Sequence, residues 1–534
     1  MVRFETFPPG TDRRREGSVP SARRAYDKHA RQWTLCPCLL GGDGRSWRGR
    51  VDQHRPREFQ MGLLTLTAQE EVTAAPHVVF DLFGAGAGGG WVFDALCDRV
   101  APGAAVTLRA PLGPSGPPVE VVGRIGKLKP PALIEIVHVQ PWRGRMLLRF
   151  SPSGSGTRVA LQAELDDAGL EWLMRRRGHV VRDARSGNPK LGLLISKSGP
   201  GNLFSAASDN MATLALEEVN AEGGLHGRNV ELLVGDDTTD PETGAREALR
   251  LVAAGCRTIL VATTSATFVK VSERLADTGV LLVQTVMNEG GNSRPLHVQL
   301  GERPVDQLRS AAKPMMRAAG GRRWFLAGND YCWPRSMHAV AKEVLPRLGG
   351  RLVGETFSRM GTTDFASVVE AIDRSGADVT LSTFVGADAA AFQRQCYEYG
   401  LHQRCLTLAP AIDESTIARI GPTATAGLHS VSGYVESLEE EGNAGLLNRY
   451  RQRFGRWAFP LSTLSESVFE AVKIWWDAVR QAGTDEPAAV ARAMHNGRFE
   501  LPRGTVVVDG NGSVGQRLYL AEAVGTELRV ASAI

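Results

Sequence analysis

The sequence lacks a long apolar run, a paired set of cysteines and a strong overall charge. No apolar run reaches the roughly 18 residues that a membrane-spanning helix needs, so membrane insertion is not expected. The seven cysteines are odd in number and mostly scattered, which excludes a dense disulfide framework and favours a reducing compartment. The first residues also lack the pattern of a secretory signal. Together these absences predict a cytoplasmic protein.

Charge is unevenly spread along the 534 residues, whose formal net charge is +4. Residues 1–60 hold 13 Lys and Arg against 7 Asp and Glu, so the rest of the chain is slightly acidic. Binding of nucleic acid by the folded part is therefore not expected. Residues 1–60 are rich in Arg, Gly and Pro without any period, which predicts a disordered leader. An alternative is that the N-terminus is misassigned and translation starts at Met61, and a misassigned N-terminus would leave a periplasmic or extracellular location open.

Residues 61–183 predict a first folded domain of the α+β class. A strand at 64–73 and a helix beginning at Pro76 precede a meander of short strands, and a helix at 168–181 closes the unit. The predicted strands of the meander are 105–110, 119–128, 132–139, 145–150 and 157–165. Residues 84–89 spell G-x-G-x-x-G but follow a helix rather than a strand, so no nucleotide cofactor is expected.

This first domain resembles the helix-grip (SRPBCC, START-like or polyketide-cyclase-like) superfamily. The motifs that carry the resemblance are Ala75-Pro76 with Val79-Phe80, Gly90-Trp91-Val92-Phe93, Pro102-Gly103, Gly123-Arg124-Ile125, Pro141-Trp142 and Gly156-Thr157-Arg158-Val159. The resemblance implies a sheet that grips a helix around a cavity for an apolar or cyclic ligand. The acid and base groups available to an enzyme there are Glu120, Arg124, Glu135 and His138, but their spacing selects no mechanism.

A polar linker at 184–189 separates this domain from residues 190–534, where buried strands alternate with helices. The alternation occurs twice and predicts doubly wound parallel sheets in two lobes. Polar residues follow strands of the first lobe at Ser198-Gly199 and at Thr263-Thr264-Ser265. In the second lobe, an apolar strand at 324–327 leads into an aromatic turn at 328–335. Ligands bind at such strand ends in α/β sheets, so these segments predict the two sides of a cleft.

Residues 190–534 resemble the type I periplasmic-binding-protein superfamily, in the branch of branched-chain amino acid, urea and short-chain amide receptors. The supporting motifs are Leu193-Leu194-Ile195-Ser196-Lys197-Ser198-Gly199-Pro200, Glu217-Glu218-Val219-Asn220, Gly223-Gly224-Leu225-His226-Gly227-Arg228, Asp236-Asp237 with Asp240-Pro241, Gly328-Asn329-Asp330-Tyr331 with Trp333-Pro334-Arg335, Gly349-Gly350, Thr363-Asp364-Phe365 and Gly386. The resemblance implies a clamp whose lobes close on a small ligand. The ligand contacts that it implies are Ser198, Gly199, Thr263, Thr264, Ser265, Gln284, Val286, Tyr331, Trp333, Gly386, Asp388 and Tyr434.

The functional expectation is a binding protein rather than an enzyme, with no catalytic residue, metal or cofactor. Asp236, Asp237 and Asp240 are interpreted as a family turn rather than a metal site. The main hypothesis is a cytoplasmic sensor of an amide, urea or amino acid. Two alternatives are the solute-binding component of an ABC transporter and a helix-grip enzyme of cyclase type. The expected partners are the small ligand, a regulatory protein or an ABC permease, and a second copy of the chain.

Overall fold

A computed structural model describes residues 64–83, 95–97, 99–110, 119–154, 156–176, 187–291 and 294–533. The predicted leader, the glycine-rich segment 84–89 and residues 184–186 of the predicted linker lie outside these ranges. The described residues build an N-terminal domain and a larger two-lobed part, which we call the clamp. Within these ranges, no helix is both long and apolar enough to cross a bilayer.

The N-terminal domain is one antiparallel sheet of seven strands in the order β1-β7-β6-β5-β4-β3-β2. Its strands are β1 (Leu64–Val72), β2 (Leu96–Cys97), β3 (Ala105–Ala110), β4 (Val119–Lys129), β5 (Leu133–Gln140), β6 (Gly144–Ser153) and β7 (Gly156–Leu165). Its helices are α1 (Pro76–Asp81) and α2 (Asp167–Arg176). Every second residue of β5 is buried, as in an antiparallel sheet with one more deeply covered face.

A separate apolar core holds the N-terminal domain together. Val79 and Phe80 of α1 are buried in it, and the Phe80 ring meets Phe150 of β6 edge to face, with ring centroids 5.4 Å apart. The observed order of strand, helix, strands and helix agrees with the sequence prediction. Membership of the helix-grip superfamily stays a prediction, because strand order describes an architecture and not a family.

The first lobe begins with a parallel sheet in the order β12-β11-β10-β8-β9. Its strands are β8 (Lys190–Ile195), β9 (Glu231–Asp236), β10 (Thr258–Ala262), β11 (Leu281–Gln284) and β12 (His297–Gln299). A 3-10 turn (Asn202–Ser205) and the helices α3 (Ser208–Ala221), α4 (Pro241–Ala253) and α5 (Ser265–Arg274) connect them. All five residues of β10 are buried, which explains its continuous apolar sequence, since helices cover both faces of a parallel sheet.

The second lobe repeats this plan around the strands β13 (Arg323–Asn329), β14 (Arg351–Ser358), β15 (Val379–Thr383), β16 (Leu406–Leu408) and β17 (Leu428–Ser432). Its helices are α6 (Pro304–Ala318), α7 (Cys332–Arg347), α8 (Ala366–Ser375), α9 (Gly386–Glu398) and α10 (Glu414–Ile420), with a 3-10 turn at Leu401–Gln403. The sheet order is β14-β13-β15-β16-β17-β21-β22, and its last two strands come from the C-terminal part of the chain.

The chain then returns to the first lobe and crosses back again. The returning elements are α11 (Glu441–Phe454), α12 (Thr463–Ala482), α13 (Pro487–Met494) and a small sheet of β18 (Arg498–Leu501), β19 (Gly504–Val508) and β20 (Val514–Gly515). The strands β21 (Tyr519–Val524) and β22 (Glu527–Ala533) finally extend the second lobe's sheet in antiparallel fashion. Three passages of the chain therefore join the lobes, and the predicted two-lobed α/β clamp is confirmed.

Candidate functional site

A cavity of about 410 Å³, its open mouth included, lies between the two lobes. Its lining combines hydroxyl, aromatic and aliphatic side chains of both lobes: Thr263, Thr264, Ser265, Val286, Met287, Tyr331, Trp333, Val385, Ala411 and Leu464. None of these ten described residues carries a formal charge at neutral pH. The cavity is therefore apolar with a cluster of hydroxyl groups at the first lobe.

The hydroxyl cluster lies where β10 ends and α5 begins. Thr264 is the N-cap of α5, and its side chain accepts a hydrogen bond from the backbone N–H of Thr267 at 3.3 Å. The first N–H groups of a helix have no partner within the helix, and the helix dipole makes this end electropositive. The beginning of α5, with the hydroxyl group of Ser265, can thus receive an anionic or carbonyl oxygen of a ligand.

The buried carboxyl group of Asp237 stabilises this end of α5. Asp237 accepts hydrogen bonds from the Thr267 hydroxyl at 2.9 Å and from the Thr239 backbone N–H at 2.8 Å. Burial raises the pKa of Asp237 to about 7, because the charged form loses its hydration. Asp237 is therefore a support for α5 and not a cavity residue.

The replacement Asp237→Asn should make the protein more stable than the wild type, and increasingly so as the pH rises from 5 to 8. In the unfolded chain an aspartate has a pKa of about 3.9, so between this pH and about 7 the folded state binds a proton that the unfolded state has lost. The wild type therefore loses stability as the pH rises through this range, and the loss levels off above the folded pKa. Each pKa unit of elevation corresponds to about 1.4 kcal/mol. Urea unfolding at pH 5, 6.5 and 8 measures this gain; a constant offset at all three pH values would contradict it.

The aromatic wall comes from the junction of β13 and α7 in the second lobe. The predicted turn at 328–335 is shorter than expected: β13 continues to Asn329, and α7 already begins at Cys332. Tyr331 is the N-cap of α7 and Trp333 lies in its first turn. A glycine is required at Gly328, since a Cβ atom there would lie 1.8 Å from the Thr383 hydroxyl oxygen. The side chains of Tyr331 and Trp333 are thereby held at the cavity.

Asn329 and Asp388 hold the second lobe's strand ends together beside the cavity. The Asn329 amide donates to Asp388 at 2.7 Å and its oxygen accepts the Val385 backbone N–H at 3.0 Å. Asp388 also accepts the backbone N–H of Gly361 at 2.9 Å. Burial raises the pKa of Asp388 to about 6, although these hydrogen bonds oppose the rise. The network positions Val385, which lines the cavity.

Trp333 presents a polar atom without a partner. Its side chain is buried, and Nε1 makes no hydrogen bond with any residue that the structure describes. A buried donor left without an acceptor is costly, on the order of 1–3 kcal/mol. Trp333 lines the cavity, so a ligand acceptor that reaches Nε1 would remove this cost.

The structure brings half of the predicted ligand contacts into one lining, namely Thr263, Thr264, Ser265, Val286, Tyr331 and Trp333. The sequence interpretation missed Met287, Val385, Ala411 and Leu464. Met287 follows Val286 directly, and Val385 directly precedes the predicted Gly386, so two of the four were one position away. The residue types of Ala411 and Leu464 carry no signal that would have singled them out.

The other six predicted contacts lie outside the lining: Ser198, Gly199, Gln284, Gly386, Asp388 and Tyr434. Ser198 bonds Asp236 through its hydroxyl at 2.8 Å, and Gln284 is fully buried against Gln299. Tyr434 is also fully buried, and its hydroxyl donates to Asn443 at 2.7 Å. Direct contact of these residues with a ligand stays a prediction that this geometry does not favour.

The acid and base groups of the N-terminal domain do not converge on one point. Glu120 pairs with Arg109, and Glu135 accepts the Lys127 backbone N–H. Arg124 donates to the Gly103 carbonyl at 3.1 Å. His138 is buried with Nδ1 at 2.8 Å from the Trp142 carbonyl, and burial lowers its pKa to about 4. These side chains therefore show no arrangement for general acid–base catalysis.

Comparison with known proteins agrees with this geometry. A family model described as periplasmic binding protein matches residues 189–527. The Leu/Ile/Val-binding protein homolog 1 of Brucella abortus (strain 2308) is 23% identical over 331 residues, which are 60% of this chain and 86% of that protein. Leu/Ile/Val-binding protein BraC3 of Rhizobium johnstonii is 24% identical over 318 residues, covering 58% of this chain and 84% of its own.

Solved structures with a similar fold cover the same part of the chain. The branched-chain amino acid transporter substrate binding protein LivJ from Streptococcus pneumoniae, in complex with isoleucine, has a TM-score of 0.60 at 16% identity, and covers 65% of this chain and 99% of its own. An ABC transporter solute binding protein from R. palustris, in complex with benzoate, has a TM-score of 0.59 at 19% identity, and covers 65% of this chain and 96% of its own.

Two lobes with a cavity between them are the arrangement of a clamp-type binding protein. The chain belongs to the periplasmic binding protein family, whose model spans more than half of it. The prediction that it is not an enzyme is confirmed, since its relatives and structural neighbours are binding proteins. The predicted cytoplasmic location is wrong: membership of this family points to the periplasm, and the hypothesis of a cytoplasmic sensor fails with it.

Proposed function

We propose that the protein is the substrate-binding component of an ABC-type uptake system for small organic acids with a compact apolar body. The carboxylate would bind the start of α5 at Thr263–Ser265, and the apolar body would fill the space beside Tyr331, Trp333 and Leu464. The observation that supports this proposal most is the lining of the cavity, which has the hydroxyl groups of Thr263–Ser265 at one end and mostly apolar side chains elsewhere. An ABC permease is the partner that this role implies.

Several features support this ligand class over the others expected from sequence. Urea would leave the apolar walls without a partner, and a simple amide would make little use of the electropositive helix start. The relatives are named as Leu/Ile/Val-binding proteins, and one structural neighbour is described in complex with benzoate. All of these ligands are carboxylates with an apolar body. No acidic side chain stands among the ten described lining residues to pair with an ammonium group. Acids without an amino group are therefore favoured within the class.

Isothermal titration of the full chain with benzoate, 4-methylpentanoate, leucine, isoleucine, benzamide and urea tests the proposal. Binding of benzoate or 4-methylpentanoate with weaker binding of benzamide is the expected result. Ser265→Ala should weaken the interaction about tenfold, as expected for loss of one hydrogen bond to a charged group. Preference for leucine over 4-methylpentanoate would contradict the favoured subclass, and binding of urea alone would contradict the proposal.

The N-terminal domain is proposed to be a helix-grip domain, as its motifs and the strand order β1-β7-β6-β5-β4-β3-β2 suggest. Its dispersed acid and base groups argue against a cyclase-type activity. The expected homodimer stays a prediction.

A further inference from the structure

The N-terminal domain is bonded to the end of β9 in the first lobe, beside the loop that follows β8. Trp172 of α2 donates its indole N–H to Asp236 at 2.9 Å. The same carboxylate accepts the Ser198 hydroxyl at 2.8 Å and the backbone N–H groups of Lys197 and Ser198 at 3.0 and 3.2 Å. Asp236 therefore fixes the loop 196–201 and holds the N-terminal domain at the same time.

A second set of contacts reaches the first lobe from β4 and from the turn between β5 and β6. Arg143 lies 3.8 Å from Asp209 of α3, which also pairs with Lys197 at 3.0 Å. The Arg143 guanidinium stacks over the Phe454 ring, 5.0 Å from its centroid. Arg124 lies similarly over Phe459 at 5.2 Å. These contacts join charged groups of the N-terminal domain to aromatic rings and a carboxylate of the first lobe.

The N-terminal domain also touches the second lobe. Arg419 of α10 donates to the backbone carbonyl of Leu96 at 3.2 Å. Burial and the nearby Arg394 lower the pKa of Arg419 to about 10, while Glu120 of β4 opposes this change. Glu120 in turn accepts the Asn202 amide of the first lobe at 3.2 Å. One carboxylate of the N-terminal domain thus acts on both lobes.

The loop 196–201 is also a place where the two lobes touch each other. The backbone N–H of Ala387, at the start of α9, lies 3.5 Å from the Pro200 carbonyl of the loop 196–201. Gly386 has a φ of +56°, and a Cβ atom there would lie 2.5 Å from the Pro200 oxygen. The lobes therefore touch across a backbone contact beside a loop that the N-terminal domain holds.

We propose that the N-terminal domain is an intramolecular brace that binds both lobes on one side of the cleft and holds them together. Opening of the clamp moves the loop 196–201 away from α9, so it must break either the contacts to the first lobe or the contact to Arg419. The brace slows this opening and with it the exchange of any ligand. It does not depend on which ligand the cavity takes.

Hydrogen–deuterium exchange of the full chain without ligand tests the brace. The double variant Arg143→Gln, Trp172→Phe removes two contacts to the first lobe and leaves every residue of the cavity unchanged. Exchange of the segment 386–390 in the second lobe, which neither side chain touches in the described contacts, should become at least threefold faster. Each single variant should give an intermediate rate, so the result does not rest on the double variant alone.

Arg158→Gln provides the matched control, because Arg158 pairs with Glu71 within the N-terminal domain at 3.0 Å and both side chains are exposed. This control should leave exchange at 386–390 as in the wild type. The segment 146–150 within β6 reports whether the N-terminal domain stays folded and should keep its slow exchange. Unchanged exchange at 386–390 in both single variants and the double variant, or equal acceleration by Arg158→Gln, would overturn the proposal.

Discussion

Replacing Arg503 with methionine is expected to lower the free energy of unfolding by about 3–5 kcal/mol, the cost of leaving a buried charge without its partner. Arg503 contacts Glu470 through two nitrogens, one at 2.9 Å, and lies 3.8 Å from Glu466. All three side chains are almost fully buried. Burial opposes the charge of Arg503, but the two carboxylates hold its pKa above the ordinary value. The variant would leave the Glu470 carboxylate without its cation, next to Glu466, whose pKa burial and Glu470 raise well above the usual range.

This cluster lies beside the junction of the lobes. Glu302, at the first passage between the lobes, accepts the backbone N–H of Gly433 at the second passage and the Thr463 hydroxyl of α12, both at 2.7 Å. The Arg503 guanidinium lies close beside Gly433, where an added Cβ atom would be 2.4 Å from it. The Arg503 side chain therefore packs against the second passage, and the first passage is bonded to the same place through Glu302.

Equilibrium unfolding in urea measures the effect, and Arg498→Met in the neighbouring strand β18 is the matched control. Arg498 pairs with Glu500 at 3.4 Å, but both side chains are largely exposed, so its loss should cost less than about 1 kcal/mol. Adding Glu470→Met to Arg503→Met should recover part of the stability, because a buried pair can be replaced by apolar groups. An equal decrease in the free energy of unfolding for Arg503→Met and Arg498→Met would show that the buried ion pairs contribute no more stability than an exposed pair.

The architecture of the clamp was largely predictable because its parallel strands are buried on both faces. Strands such as β8 and β10 are continuous apolar runs flanked by helical periods, and local pattern is enough to find them. The strands β21 and β22 had no such signal for their place in the fold. The register of His429 with Glu522 joins segments about ninety residues apart, and no local pattern encodes a long-range pairing.

The site was predictable at the strand ends and unpredictable where distant segments approach. Thr263–Ser265 and Tyr331 follow strands whose carboxyl ends meet at the cleft, so topology alone brings them together. Leu464 reaches the cavity from the first turn of α12, far along the chain, because the chain returns to the first lobe. Its apolar type is also that of an ordinary core residue. Only the folded arrangement distinguishes the two roles.

The packing of the N-terminal domain against the clamp could not be predicted from the sequence either. A polar linker predicts separate domains, but Trp172 and Asp236 approach to 2.9 Å across the boundary. Neither residue type predicts a contact between domains, since a tryptophan usually packs in a core and an aspartate at the end of a strand usually belongs to a turn. The interface is a property of two complementary surfaces, and each surface is assembled from several strands and loops.

Trp333→Ala is expected to lower the affinity for benzoate or 4-methylpentanoate, whichever the titrations show to bind, by at least about thirtyfold. A buried aromatic side chain that lines a binding pocket commonly contributes 2 kcal/mol or more. The ring of Trp333 forms one wall, and its Nε1 donor has no acceptor among the described residues. The variant removes both, whereas Trp333→Phe removes only the donor and should cost about tenfold.

Titration calorimetry of these two variants separates the wall from the donor, provided that urea unfolding shows both to be folded. Tyr399→Ala is the matched control, since it removes an exposed aromatic side chain of the second lobe outside the cavity lining and should leave the affinity unchanged. If Trp333→Phe binds as weakly as Trp333→Ala, the indole N–H supplies most of the interaction, and the ligand must present an acceptor to it. If Trp333→Ala binds like the wild type, the ligand does not occupy this cavity.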